Sequence, residues 1–173
     1  MSEQLKYIFS NVNEWLKFAE AKIAGLLALN AASMFGVLQS QNNFVNEHKI
    51  FLVIILVLVS VSILCCVYSI VPDLRVKRFN RKLEQNIFQS EITNINPLFF
   101  GSISKLTTDQ YIELLKDREP SFHLAAFDKE LINQIVVNSE IANFKYSVFN
   151  IASWFTFVAF CAGILAIVFK IFI

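Results

Sequence analysis

Apolar residues fall along this chain both as long unbroken runs and as short stripes at helical spacing. Ile50–Val71 carries no charge over 22 residues, and Ser60, Ser62 and Ser69 are its only strongly polar members. Tyr146–Phe169 is uncharged for 24 residues between Lys145 and Lys170. At about 1.5 Å per residue either run crosses a ~30 Å hydrocarbon core, so both predict transmembrane helices over 50–71 and 146–169. A third stretch, Ile23–Leu38, is shorter and holds Asn30 and Ser33 in its middle, but its uncharged region continues past Leu38 and predicts a span over 23–42. Ala24, Ala28, Ala32 and Gly36 recur every fourth position there. Such a ridge lets another helix approach closely, so this segment is expected to be buried against its neighbours. Ala159/Gly163 and Ala162/Ala166 form a matching surface on the last span. A cleaved leader is disfavoured, because the preceding 22 residues carry three acids against three bases rather than a short basic start.

Outside these runs the spacing changes. Leu5, Ile8, Phe9, Val12, Trp15, Leu16 and Ala19 repeat at three- and four-residue steps, predicting an amphipathic helix over 1–22. Residues 72–145 read as a small helical module. Leu83–Ile92 extends the second span, Thr93–Thr107 breaks the pattern, and Asp109–Leu115 is a short helix capped by Thr107 or Thr108. Pro120 opens the next helix, whose stripe of Leu124, Phe127, Leu131 and Ile135 runs on into the last span. Five bases in eight residues, Arg75, Lys77, Arg78, Arg81 and Lys82, follow the second span. Basic residues flanking spans stay in the cytoplasm, which puts 1–22 and 72–145 inside. The expected fold is all-α: a multi-pass membrane protein of three transmembrane helices with a small helical cytoplasmic module. A module this small is marginal alone, so self-association into a homo-oligomer is expected.

Composition narrows the class. Of 173 residues 55% are hydrophobic and only 17% charged, too few charges for a wetted surface. The net charge of +1 gives no basic field for DNA or RNA. Cys65, Cys66 and Cys161 lie inside apolar runs without metal-ligand spacing, and His48 and His123 each stand alone. No phosphate loop, zinc motif or nucleophile elbow is present, so no catalytic residue, metal or cofactor is expected. The spans carry no acid, the usual mark of an ion or proton relay.

Two features exceed this background. Asn96–Tyr111 presents Leu98, Phe99 and Phe100 ahead of Gly101, in a loop with little reason to be apolar. It either plugs the small core or offers an aromatic platform, on which stacking contributes ~1–3 kcal/mol per base. The basic run either sets topology and meets lipid headgroups or grips phosphate through its arginine forks. The candidate ligand-binding residues are Asn96, Phe99, Phe100, Gly101 and Tyr111, with Arg75 and Arg78.

In order, the chain reads W-L-K-F-A-E-A-K-I-A-G-L-L-A-L-N-A-A over Trp15–Ala32, then a hydrophobic helix ending in the basic run. N-P-L-F-F-G-S-I-S-K-L-T-T-D-Q-Y follows over Asn96–Tyr111, and then D-x-x-L-x-x-Q-I (Asp128, Leu131, Gln134, Ile135) and Lys145-Tyr146. This order resembles the small transmembrane effectors of bacterial Pycsar antiphage defence, over nearly the whole chain. The resemblance implies a partner pyrimidine cyclase that makes a cyclic mononucleotide, cCMP or cUMP, in response to phage. It further implies an effector that impairs the inner membrane and stops the cell before phage mature. It supplies no ligand residues, and the sequence has no strand pattern of a cyclic-nucleotide-binding β-roll. A holin-like pore without a ligand and a passive anchor for a cytoplasmic partner are the alternatives.

Overall fold

The computed structural model describes residues 3–40, 49–71, 88–90, 92–122, 124–125 and 127–172. These form α1 (Glu3–Ser40), α2 (Lys49–Ile70), the single turn α3 (Phe100–Ile103), α4 (Thr108–Arg118) and α5 (Asp128–Phe172), with a 3-10 turn at Ile92–Asn94. Among the described residues there is no strand, and three helices are long and apolar enough to cross a membrane. Arg75, Arg78 and the rest of the basic run lie outside the described residues, as do His48 and His123. Of the helix expected over Leu83–Ile92, residues 88–90 are helical. Packing divides the chain into two compact units, Met1–Ala19 with Asp73–Tyr146, and Glu20–Pro72 with Ser147–Ile173. α1 and α5 contribute to both.

The first unit is built on the stripe that the sequence places at the N-terminus. Leu5, Ile8 and Val12 of α1 are buried against Phe88, Ile103, Leu106, Tyr111, Leu114, Ile132 and Ile135. α4 starts in a capping box: the Gln110 N–H donates to the Thr107 hydroxyl at 3.2 Å, and the Thr107 N–H donates to Gln110 Oε1 at 2.9 Å. Two otherwise orphaned amides are thus satisfied at the helix start. Its last turn carries Lys116 and Arg118, which suit the negative end of the helix. The Arg118 guanidinium reaches back to the carbonyls of Ile92, Thr93 and Ile95 and closes the 3-10 turn.

Two expectations change here. The helix expected to open at Pro120 begins instead at Asp128. Glu119–Phe122 forms a turn closed by the Phe122 N–H to the Glu119 carbonyl, with Pro120 in its second position. The Asp128 carboxylate then accepts the Ala125 N–H at 3.0 Å, a side-chain bond that competes with helix ahead of it. Leu124 and Phe127 are accordingly off the core stripe, and Phe127 is 79% exposed. Within the broken stretch 93–107 the structure adds the single turn α3.

The second unit comprises parts of α1, α2 and α5. Ile23, Cys66 and Ala152 form one buried cluster with Leu26, Leu27, Cys65 and Phe149 around them. Ile55, Val59 and Ala159 form another, with Met34, Val37, Leu58, Ile63 and Ala162. Outward-facing Val53, Ile54, Val57, Leu64, Phe157 and Ile164 are exposed apolar residues, as a lipid-facing surface requires. The small-residue surface of the last span does pack, since Ala159 and Ala166 are buried. The ridge of the first span does not: Ala24, Ala28, Ala32 and Gly36 are all exposed. Ile23, Leu26, Asn30, Met34 and Val37 take the inward face instead, and at about 100° per residue the ridge falls on the opposite side.

Candidate functional site

The Asn96–Tyr111 segment is tied down at both ends. The Asn96 side chain accepts the Leu98 N–H at 2.9 Å, and Asn11 of α1 donates to the Leu98 carbonyl at 3.3 Å. Tyr111 is fully buried, and its hydroxyl donates to the Pro97 carbonyl at 2.7 Å. Burial pushes that hydroxyl above the ordinary tyrosine range. Phe100 is 6% exposed; its ring stacks on Tyr146 with centroids 5.1 Å apart and lies 5.6 Å from Trp15. Phe99 caps the start of α3, is 46% exposed, and tilts against Phe100 at 4.8 Å.

Five of the seven expected residues therefore come together, in different roles. Phe100 and Tyr111 spend their rings on the core, while Asn96 and Phe99 are exposed. Gly101 sets the attitude of Phe99, because a Cβ there would stand 2.5 Å from Phe99 Cε1 and 2.9 Å from its Cζ. Gly101→Ala is expected to swing the exposed Phe99 ring aside at a cost of about 1 kcal/mol or less, since a ring free to rotate relieves the clash. Ring resonances of Phe99 and the thermal midpoint check this; an unmoved ring would refute it.

In the second unit the structure reveals a group of residues that sequence reasoning did not join. Asn30 of α1, Ser62 of α2 and Thr156 of α5 are 0%, 0% and 4% exposed. Asn30 Nδ2 donates to Ser62 Oγ at 2.8 Å, Thr156 Oγ1 donates to Asn30 Oδ1 at 2.9 Å, and the two hydroxyls are 2.9 Å apart. The Ala152 carbonyl is a further acceptor, 2.9 Å from Ser62 Oγ and 3.1 Å from Thr156 Oγ1. One consistent donor pattern runs round the ring, amide to Ser62, Ser62 to Thr156 and Thr156 to the amide oxygen. Interhelical hydrogen bonds in membranes average ~0.6 and reach ~1.7 kcal/mol, whereas an unsatisfied amide in hydrocarbon costs several. The triangle therefore adds modest net stability but enforces one register strongly. Its signal in the sequence was three lone polar residues on inward faces: Asn30 seven after Ile23, Ser62 three after Val59, Thr156 four after Ala152.

Beside the triangle a 240 Å³ crevice opens among the same three helices. Its lining is apolar apart from Ser33 and Thr156, and includes Gly36, Leu52, Ile55, Ala159 and Gly163. The Ser33 hydroxyl is occupied by the Leu29 carbonyl at 2.8 Å, and that of Thr156 by the triangle.

No curated protein and no solved structure matches the chain. A family model does: the Pycsar effector protein domain matches residues 4–172, from the first turn of α1 to the end of α5. That span takes in both units, the three membrane helices and every described candidate residue, and the chain is a membrane protein belonging to the Pycsar effector family.

Proposed function

We propose that this protein is the non-enzymatic membrane effector of a Pycsar-type antiphage system. A partner pyrimidine cyclase makes cCMP or cUMP, the helical unit binds it, and the membrane unit then impairs the inner membrane to abort infection. The observation that carries this reading is the family match over 4–172, which includes both units. The covalent continuity of α1 and α5 supports it, since each helix passes unbroken from one unit into the other. The basic run after α2 supports a cytoplasmic N-terminus and a cytoplasmic helical unit.

In this reading the nucleotide meets the outward edge of the Asn96–Gly101 turn. Phe99 offers its face to the base, Asn96 its amide, and Gly101 keeps the ring lying flat. Phe100 and Tyr111 hold the turn from behind, and Arg75 and Arg78 neutralise the cyclic phosphate. A ligand moves an equilibrium only through its differential affinity for two states. A 1000-fold preference supplies about 4 kcal/mol per site, and the copies of a homo-oligomer add their shares.

Purified protein in liposomes, challenged with a panel of cyclic mononucleotides, tests the proposal. Leakage evoked by cCMP or cUMP, with binding in the micromolar range or tighter, is the expected result. A panel that neither binds nor evokes leakage would overturn it. Ligand-independent leakage would then favour a holin-like pore, and silence with a co-purifying partner would favour an anchor.

A further inference from the structure

Three buried polar side chains of the membrane unit bond one another across its helices. Each of Asn30, Ser62 and Thr156 comes from a different helix, and each hydrogen-bonds the other two. Displacing any one helix beyond hydrogen-bonding distance breaks two of the three bonds at once. It also leaves one or both polar atoms of the Asn30 amide without a partner in hydrocarbon, whereas the Thr156 hydroxyl keeps the Ala152 carbonyl of its own helix. Small excursions are therefore resisted, and a large one persists only where water or another polar group reaches the freed atoms. That is the response of a two-position element.

Packing on the two sides of the triangle is unequal. On one side Ile23, Cys66 and Ala152 are closed together, all at most 1% exposed. On the other lies the 240 Å³ crevice, where a Cβ on Gly163 would meet only Ile55 Cδ1, at 3.8 Å. Room for helix movement is thus present beside the bonds that oppose it.

We infer that the Asn30–Ser62–Thr156 triangle is the lock of the closed membrane unit, and that activation releases it and lets the helices rearrange into the crevice. The three residues are positioning residues: they touch no signal and act by holding α1, α2 and α5 in the non-leaking register. This rests on the membrane-impairing reading above, and it adds which atoms must separate.

The test uses full-length protein in phosphatidylethanolamine–phosphatidylglycerol liposomes, with ion leakage and the α2–α5 separation between spin labels at exposed Leu64 and Phe157 as readouts. Thr156→Val keeps the shape and removes the hydroxyl; Thr156→Ser keeps the hydroxyl; Gly163→Val fills the crevice. Without nucleotide, Thr156→Val should leak about tenfold more than the parent, equivalent to roughly 1.4 kcal/mol, with a widened label distance. Thr156→Ser should stay within about twofold of the parent, and Gly163→Val should lower evoked leakage. Should Thr156→Val fail to accumulate, Ser62→Ala makes the same comparison with a smaller change. A folded Thr156→Val or Ser62→Ala with parental leakage and distance overturns the lock. Equal leakage from the Val and Ser variants overturns it too, because lost packing then explains both. If the parent ignores every nucleotide while Thr156→Val leaks and Thr156→Ser does not, the lock stands and the nucleotide reading fails.

Discussion

Tyr111→Ala is expected to remove about 4 kcal/mol from the helical unit. Its ring is fully buried among Phe88, Ile103, Leu106, Leu114, Ile132 and Ile135, so truncation leaves a cavity within the core. Losses of ~3–5 kcal/mol are usual for deleting a buried aromatic ring. Against a total of about 5–15 kcal/mol for a typical domain, such a loss leaves little margin. The Pro97 carbonyl loses its donor as well, and the Asn96–Gly101 turn loses one of its ties. Limited proteolysis in detergent should show rapid cutting within 92–125, while the membrane helices stay protected. Undiminished protease resistance would contradict this account.

Tyr111→Phe separates the ring from its hydroxyl. It keeps the packing and deletes only the bond to Pro97, so about 1 kcal/mol should be lost. The two proteins should also differ in alkali. Burial raises the hydroxyl of folded Tyr111 above its ordinary value of about 10. Below pH ~10 the group is protonated in both folded and unfolded chains, and its stabilisation is fully present. As pH rises beyond that, the unfolded tyrosine ionises first, and stability drains away towards the folded value. The phenylalanine variant lacks this contribution to alkaline unfolding.

What the sequence made legible and what it hid divide along a physical line. Periodicity is local, and it reveals the Leu5–Ala19 stripe, the two long runs and a cap at Thr107 or Thr108, because each depends on neighbours within a few residues. The start of α5 is not legible because Pro120 is compatible with a turn as well as with a first helical position, and the Glu119–Phe122 turn and the Asp128–Ala125 bond both favour the later start. The first-span ridge was legible as a pattern but not in its direction. Four small residues in line suit a helix interface, yet bulkier Ile23, Leu26 and Met34 with Asn30 claimed the interior. Phe99 and Phe100 are adjacent and equally apolar, and which of them enters the core follows from the position of Tyr146 and Trp15, far away in sequence. The polar triangle was hidden for the same reason. Asn30 weakened the first span when read alone, and it becomes a structural element only once two other helices bring it partners.

Asn30→Asp is expected to produce a membrane unit that assembles in acid and fails at neutral pH. The two side chains have nearly the same shape, so packing against Ser62 and Thr156 is preserved and only donor count and charge change. A charged carboxylate at the middle of a span costs ~2.5–3.5 kcal/mol on insertion scales. Its immediate surroundings are the two hydroxyls, the Ala152 carbonyl and the apolar clusters on either side, none of them charged. Burial among such groups disfavours the charged form of the carboxyl. The protonated acid carries one O–H, which can donate to Ser62 while its other oxygen accepts from Thr156, and the ring closes as it does with the amide. The neutral acid present in acid solution is therefore accommodated, and the carboxylate present at neutral pH is not. The measurement is the thermal midpoint of parent and variant in detergent at pH 4 and pH 7.5. The variant should approach the parent at the lower pH and fall well below it at the higher. Asn30→Leu, which has no titratable group, should show the same deficit at both. An aspartate variant unimpaired at both pH values would mean that the triangle does not depend on a proton donor at this position, and that shape alone sets the register of the three helices.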